Sequence, residues 1–444
     1  MRRPFVISAA ASAGLALLTA CTAGTESAGP PKVGASPADQ TPVTIEFWHG
    51  FSADSELKAF EDTLAGFKQK FPWITVKATK AIQDDQIIQS VRGGNPPDVA
   101  LSFTTDSVAQ FCKTGIFQDL NPYLTASEID AATLFPKVID EYTQYDGKRC
   151  VLPMLADAYG LYYNKKLMQG NQPPKTLSEL ADLAKKLTVK NDKGDIEVAG
   201  FMPISQMYEN APIHTGVMVG AKWTNPDGTS AIGSDPQWKK LMTWQKELTD
   251  WFGYDKLEKF RKSFGDEWSA DNPFHKGKVA MAIDGEWRVA MLADGAPDLD
   301  YGTAPLPVGD DQAERYGAGY ITGTVIGIPR GAKHAEAGWE LVKYLSTDTD
   351  ALVTLSNAIR NVPSTLPALA SPDLKKDERF QTFLDIFADP NSTTLPAHIN
   401  SAFNQQTLQE AHIKWESGRA KDLDALLAEV DKTIDDKLKL TSGG

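Results

Sequence analysis

Residues 43–51 read VTIEFWHGF: apolar Val43, Ile45 and Phe47 alternate with Thr44 and Glu46, and the run ends in Trp48 and His49 before Gly50. A two-residue period over this length predicts a strand with one buried face. Residues 55–71 (SELKAFEDTLAGFKQKF) then place Leu57, Phe60, Leu64, Phe67 and Phe71 at intervals of three and four, the stripe of an amphipathic helix. ITVKA (74–78) resumes the strand period, and after a helical stretch GNPPDVALSF (94–103) supplies a turn and another strand. Strand, helix, strand is the βαβ rhythm, so the expected class is α/β. Downstream, Thr176 and Glu179 in TLSELADLAKKL form a capping-box pattern that starts a helix. Further helices are expected over HAEAGWELVKYL (334–345) and KDLDALLAEVDKTIDDKL (421–438). No internal repeat of solenoid length is visible.

At 444 residues the chain exceeds one simple core and predicts two lobes of ordinary domain size. Its composition, 42% hydrophobic and 23% charged, is that of a globular protein, not of a disordered chain. A formal net charge of −13 with no basic run argues against nucleic acid or an anionic membrane surface as the main partner. Uncharged or cationic ligands fit that balance better.

The first residues form an address. MRRPF carries two arginines, and residues 5–20 (FVISAAASAGLALLTA) are too short and too weakly apolar for a membrane span, so 1–20 is expected to be a signal peptide. Leu18-Thr19-Ala20-Cys21 resembles the lipobox of bacterial lipoproteins, in which the cysteine is lipidated and becomes the first mature residue. The plain alternative is a free cysteine beside an ordinary cleavage site. Each buried acyl methylene adds about 0.8 kcal/mol, so several chains on Cys21 would hold the protein at the outer face of a bacterial cytoplasmic membrane. Residues 21–40, small, polar and rich in Gly and Pro, read as a flexible tether. Cys112 and Cys150 remain as an even pair in an exported chain, which favours a disulfide over two buried thiols.

In α/β sheets ligands sit beyond the carboxyl ends of the strands. Trp48 and His49 lie at such an end, as do Ser102, Phe103 and Asp106 after PPDVAL, and Asp284, Gly285 and Trp287 after KVAMAI. Aromatic rings beside carboxylates complement a sugar, whose C–H face stacks on a ring while its hydroxyls bond to acids. At each single position the bland reading is packing for the Trp or helix capping for the Asp.

The order of VTIEFWHGF, GNPPDVAL, GIFQDLNPYL, LPMLADAYGLYYNKKLM, PPKTLSELADLAKKL, FHKGKVAMAIDGEW, YGTAPLP and GTVIGIPRGAKHAEAGWELVKYL along the chain resembles the extracellular solute-binding proteins of ABC importers. The similar branch includes maltodextrin- and glycerol-3-phosphate-binding proteins. The resemblance implies two α/β lobes, 41–156 with 323–348 and 157–322 with 349–444, with ligand in the cleft and hinge closure on binding. It places the crossings near Asp157 to Tyr159, near Thr322 to Thr324 and around Ser346 to Ala351. It implies sugar contacts at Asp157 and Tyr159, stacking at Trp287, a carboxylate contact at Asp106, pocket lining by Tyr208 and Asn210, and close backbone approach at Gly319, Tyr320 and Gly323. Trp268 is a further platform candidate or a core residue. Arg360 in AIRNVPS is either a clamp for a phosphate or carboxylate or a rim arginine paired with an aspartate.

The expected function is the substrate-binding component that catches a di- or oligosaccharide and presents it to a permease driven by a cytoplasmic ATPase. A monomer with no cofactor and no metal is expected. A glycerophosphodiester ligand on the same fold is the alternative. A glycoside hydrolase, with paired carboxylates, is the rival class. No GxSxG, HExxH or Gly-Lys-Ser loop is present, and the six histidines lack ligand spacing.

Overall fold

The computed structural model describes residues 40–395 and 397–442. The expected signal peptide, the lipidation candidate Cys21 and all of the tether before Gln40 lie outside the described residues.

β1 (Val43–Trp48) pairs parallel with both β2 (Ile74–Thr79) and β3 (Val99–Ser102), and the helix Asp54–Lys70 makes the crossover between β1 and β2. That helix carries Asp54 and Glu56 in its first turn and Lys68 and Lys70 in its last, the charge order its dipole favours. It buries Phe60 and Phe67 on the sheet side.

β4 (Leu152–Asn164) decides the architecture. Its sequence, LPMLADAYGLYYN, is nearly continuous in apolar residues, which suits a strand covered on both faces, and 12 of its 13 residues are buried. From Leu152 to Ala158 it pairs antiparallel with β9 (Ile321–Gly327), and β9 pairs antiparallel with β3. From Tyr159 to Asn164 it leaves that sheet and runs between β7 (Met281–Gly285) and β8 (Tyr301–Ala304), antiparallel to each. One strand thus serves two sheets, one per half of the molecule. A two-residue β10 (Val362–Pro363) adds to β4 at Leu155 and Ala156, and β5 (Val189–Lys190) and β6 (Ile196–Val198) form a small separate ladder.

By this topology the carboxyl ends of β1 and β3, the midpoint of β4 and the carboxyl ends of β7 and β8 all face the junction of the two halves. Beyond the expected crossing at Ser346 to Ala351, the helix Thr349–Ile359 still packs against Asp54–Lys70 of the first half. The helix Glu378–Ala388 packs on β8. Cys112 and Cys150 form a disulfide with Cα atoms 5.3 Å apart, tying the helix Val108–Thr114 to the entry of β4. Among the described residues no helix is long and apolar enough to cross a membrane.

Candidate functional site

Six rings touch in sequence at the second-half side of the junction. Tyr159, on β4 just past the switch between sheets, stacks on His214 with centroids 4.1 Å apart and meets Trp287 edge-on at 5.4 Å. Tyr320 lies 5.8 Å from Tyr159 and 5.9 Å from His214. Tyr208 adjoins His214 at 4.8 Å and Trp268 at 5.5 Å, and Trp268 reaches Trp287 at 6.4 Å. Tyr159, His214 and Tyr320 are buried, whereas Tyr208 is 47% and Trp268 44% exposed, so the wall has a packed back and an open front. Trp287 lies over Gly285, where an added Cβ would sit 2.2 Å from the ring.

Beneath the wall, Arg288 bonds through Nε to Asp284 Oδ2 at 2.6 Å and through Nη1 to the Glu267 carbonyl at 3.1 Å. Its guanidinium lies 5.6 Å from the Trp268 ring centre. Asp284 also accepts the Gly285 N–H at 2.9 Å. Asp284 therefore holds the arginine that supports Trp268, and both of its oxygens are already engaged.

Asp157 is the one carboxylate in the buried stretch of β4, and such a group needs partners. Asn361 Nδ2 donates to Asp157 Oδ1 at 2.6 Å and to Glu286 Oε1 at 3.0 Å, while Glu286 Oε2 accepts the Ala158 N–H at 2.8 Å. Burial raises the Asp157 carboxyl to about 6, against the hydrogen bonds from Asn361 and Glu286. Burial and then the Asp157 charge push Glu286 well above the usual carboxylate range, so Glu286 is the member that keeps the proton. Three distant parts of the chain are thus pinned together at the switch in β4.

From the first half, Asp106 approaches the same place. Burial raises its carboxyl, while Gln405 and Thr104 hold it down. Burial first, then the Asp106 charge, raises the Tyr320 phenol. Asp106 Oδ1, Gln405 Nε2 and Trp287 Nε1 are buried and complete no well-aligned hydrogen bond among the described residues, although Gln405 faces Asp106 and Trp287 faces Asp284. Thr105 and Thr322 hydroxyls meet at 3.1 Å beside them.

Other expected site residues sit elsewhere or are otherwise occupied. His49 is 3% exposed and stacks on Phe60 at 5.2 Å, within a cluster that includes Phe47 and Phe51. Burial, then Lys80, lowers its imidazole to about 4, so it is neutral. Phe103 packs edge-on against Phe51 at 4.6 Å and is 41% exposed. Trp48 is half-buried at the end of β1, paired in register with Ala100 of β3. The Ser102 hydroxyl closes a local turn with Thr104. Asn210 spends its amide on the carbonyls of Met202 and Ile204. At Gly319 an added Cβ would meet Ile386 at 2.4 Å, and at Gly323 the Leu155 carbonyl at 2.3 Å, so close packing explains both glycines. Arg360 pairs with Asp377 at 3.2 Å, donates to the Lys375 carbonyl at 2.9 Å and lies over Phe380, lining a separate groove of about 520 Å³.

His214, Glu286, Asn361 and Gln405 escaped the sequence reading. Two had a local signal: Glu286 stands between the Gly285 and Trp287 that were singled out, and Asn361 follows Arg360 in AIRNVPS. Among the described residues no group of three or more His, Cys, Asp or Glu is arranged to hold a metal ion.

Residues 62–382 match the family described as bacterial extracellular solute-binding protein. The maltotriose-binding protein of Pyrococcus abyssi is 22% identical over 338 residues, covering 75% of this chain and 69% of its own. A maltooligosaccharide ABC transporter solute-binding lipoprotein of Streptococcus pneumoniae is 24% identical over 421 residues, 91% of each chain. Among solved structures, CpMnBP1 with mannotriose bound superposes with a TM-score of 0.80 at 23% identity, covering 88% of this chain and 99% of that one. The maltose/maltodextrin-binding domain of Bdellovibrio bacteriovorus bound to maltotriose gives 0.71 at 22% identity, covering 89% and 100%. At these identities the structural likeness is one of fold.

Proposed function

The chain belongs to the bacterial extracellular solute-binding proteins, and on that premise we propose that it is the ligand-catching subunit of an ABC importer, with a di- or oligosaccharide as its ligand. The observation that carries this reading is the six-ring wall with its open front, faced by buried polar groups. Trp268, Tyr208 and Trp287 offer flat apolar surface for sugar C–H faces, while Asp106 Oδ1, Gln405 Nε2 and Trp287 Nε1 are an acceptor and two donors suited to hydroxyls.

The same reading gives closure a cause. The wall belongs to the second half and Asp106 to the first, so a sugar touching both has higher affinity for the closed state and shifts the balance toward it. β4, β9 and the segment after Ile359 are the crossings about which the halves would turn. The Asp157–Asn361–Glu286 network fixes β4 at that point and offers Asp157 to the ligand's rim. Binding proceeds without chemistry on the sugar. The subunit acts as a monomer, held by lipidated Cys21 at the outer membrane face, and hands its cargo to a permease.

A glycerophosphodiester ligand has less support, because the Arg360 guanidinium is engaged by Asp377 and the Lys375 carbonyl. Calorimetric titration against malto- and manno-oligosaccharides, monosaccharides and glycerophosphodiesters, with an assay for new reducing ends, tests the proposal. Saturable saccharide binding without product is the expected result. Turnover would make the protein a hydrolase, and no saccharide binding would remove the reading.

A further inference from the structure

Next to the aromatic wall lies a cavity of about 260 Å³ whose lining includes Lys222, Trp223, Arg315, Tyr320, Thr393 and Thr394. Tyr320, buried in the back of the wall, also belongs to the lining of the cavity. The chain as a whole carries −13, yet the lining holds two cations and no carboxylate. Neither Lys222 nor Arg315 enters an ion pair with a described residue. The nearby Asp235 carboxylate is turned to the backbone, accepting the N–H groups of Lys222 at 2.7 Å and Gln237 at 3.0 Å.

Arg315 ends a short 3₁₀ turn, Ala313–Arg315, in the connection between β8 and β9. Its guanidinium packs against Gly220, where an added Cβ would lie 3.2 Å from Cζ, so the glycine leaves room for the planar group. Arg315 Nε and Thr394 Oγ1 are both buried without a hydrogen-bond partner among the described residues. A guanidinium edge and a hydroxyl thus face one small space beside the aromatic wall, with the exposed Lys222 at its rim. The neutral hydroxyls of a plain glucan would leave the buried guanidinium edge without a charged partner. A planar carboxylate matches the guanidinium fork and adds charge-assisted bonds.

We propose that this cavity is an anionic subsite, and that the preferred ligand is an oligosaccharide carrying a carboxylate on the residue beyond Tyr320, that is, a uronate-containing oligosaccharide. The inference rests on the saccharide reading above and narrows its substrate class. It reverses locally what the net charge suggests globally, since recognition depends on the few charges within reach of the ligand and not on their sum.

The test is a calorimetric comparison of neutral oligosaccharides with uronate oligosaccharides of matched length and linkage, on the wild type, Arg315→Gln and Lys222→Gln, each checked for folding by thermal melting. The uronate should bind roughly ten- to a hundredfold tighter than its neutral match. That preference should shrink as ionic strength rises. Arg315→Gln should abolish most of it while leaving neutral affinity in place, and Lys222→Gln should weaken it without disturbing the packing at Gly220. Equal or tighter binding of the neutral sugar, or a preference untouched by both variants, would overturn the anionic subsite and leave the saccharide reading standing. Binding of no saccharide at all would overturn both.

Discussion

Two aromatic clusters, each built around a histidine, lie near the junction of the halves, and they differ in what they face. In the first half His49 stacks on Phe60 at 5.2 Å, with Phe47 and Phe51 around it. In the second half His214 stacks on Tyr159 at 4.1 Å, with Tyr208 and Tyr320 around it. The first cluster closes over the helix Asp54–Lys70, and of its rings only Phe103 at the edge is exposed. The second keeps its histidine in the back layer and leaves Tyr208 and Trp268 open. Residue type at a strand end does not separate packing from recognition; what lies behind each ring does.

The difference is broken most strongly by Phe60→Ala. Phe60 is 2% exposed in the inward cluster, so truncation should cost about 3–5 kcal/mol in denaturant unfolding. Saccharide affinity in the folded fraction should be kept, and an affinity loss with unchanged stability would place the first cluster in the site.

Both histidines should also show as pH-dependent stability. Burial, with Lys80 second, lowers His49 to about 4, and burial lowers His214 to about 3 against the hydrogen bond its Nδ1 donates to the Tyr208 carbonyl. The unfolded chain takes up the proton near 6.5, the folded one does not, so each histidine's contribution is complete above 6.5 and lost as pH falls. Relative to His49→Phe, the wild type should lose roughly 1.4 kcal/mol per pH unit from 6.5 down to about 4 and then level off. The matching difference for His214→Phe should continue to about 3. A flat wild-type-minus-variant curve in either case would mean that the ring is solvated.

Trp268→Ala sharpens the comparison from the other side. An exposed platform should cost about 1–3 kcal/mol of saccharide affinity, by analogy with stacking platforms elsewhere, and no more than about 0.5 kcal/mol of stability. The reverse pattern in calorimetry and melting would make Trp268 a core residue. The smallest effect is expected for Arg360→Ala, outside both clusters: under about 0.5 kcal/mol in saccharide affinity, because its guanidinium already serves Asp377 and the Lys375 carbonyl. A larger fall would bring its groove into the binding surface.

The sequence reading found the elements whose signal is local. The alternation in VTIEFW, the stripe through Phe60 and Phe67 and the cap at Thr176, which accepts the Glu179 N–H at 3.3 Å, each depend on a few neighbouring residues. Of the six wall rings, Trp287 was visible at a strand end, and Tyr159, Tyr208, Trp268 and Tyr320 were named alongside the family resemblance. What stayed hidden depends on distant pairing. Asn361 meets Asp157 across 204 positions, and Gln405 reaches Asp106 from a helix that shares no pattern with it. His214 sits in a one-turn helix, Pro212–Thr215, too short to carry a periodic signal. Gly319 and Gly323 read as room for a ligand, but Ile386 and the Leu155 carbonyl occupy that room. The packing of the helix Thr349–Ile359 on Asp54–Lys70 is likewise a choice made in three dimensions.

The most direct measurement is a crystal structure of the mature protein with a bound oligosaccharide. The account predicts sugar rings lying flat against Trp268 and Trp287, with hydroxyls bonded to Gln405 and, from the opposite half, to Asp106. A saccharide seated in the groove of Arg360, or held with Trp268 and Trp287 untouched, would contradict it.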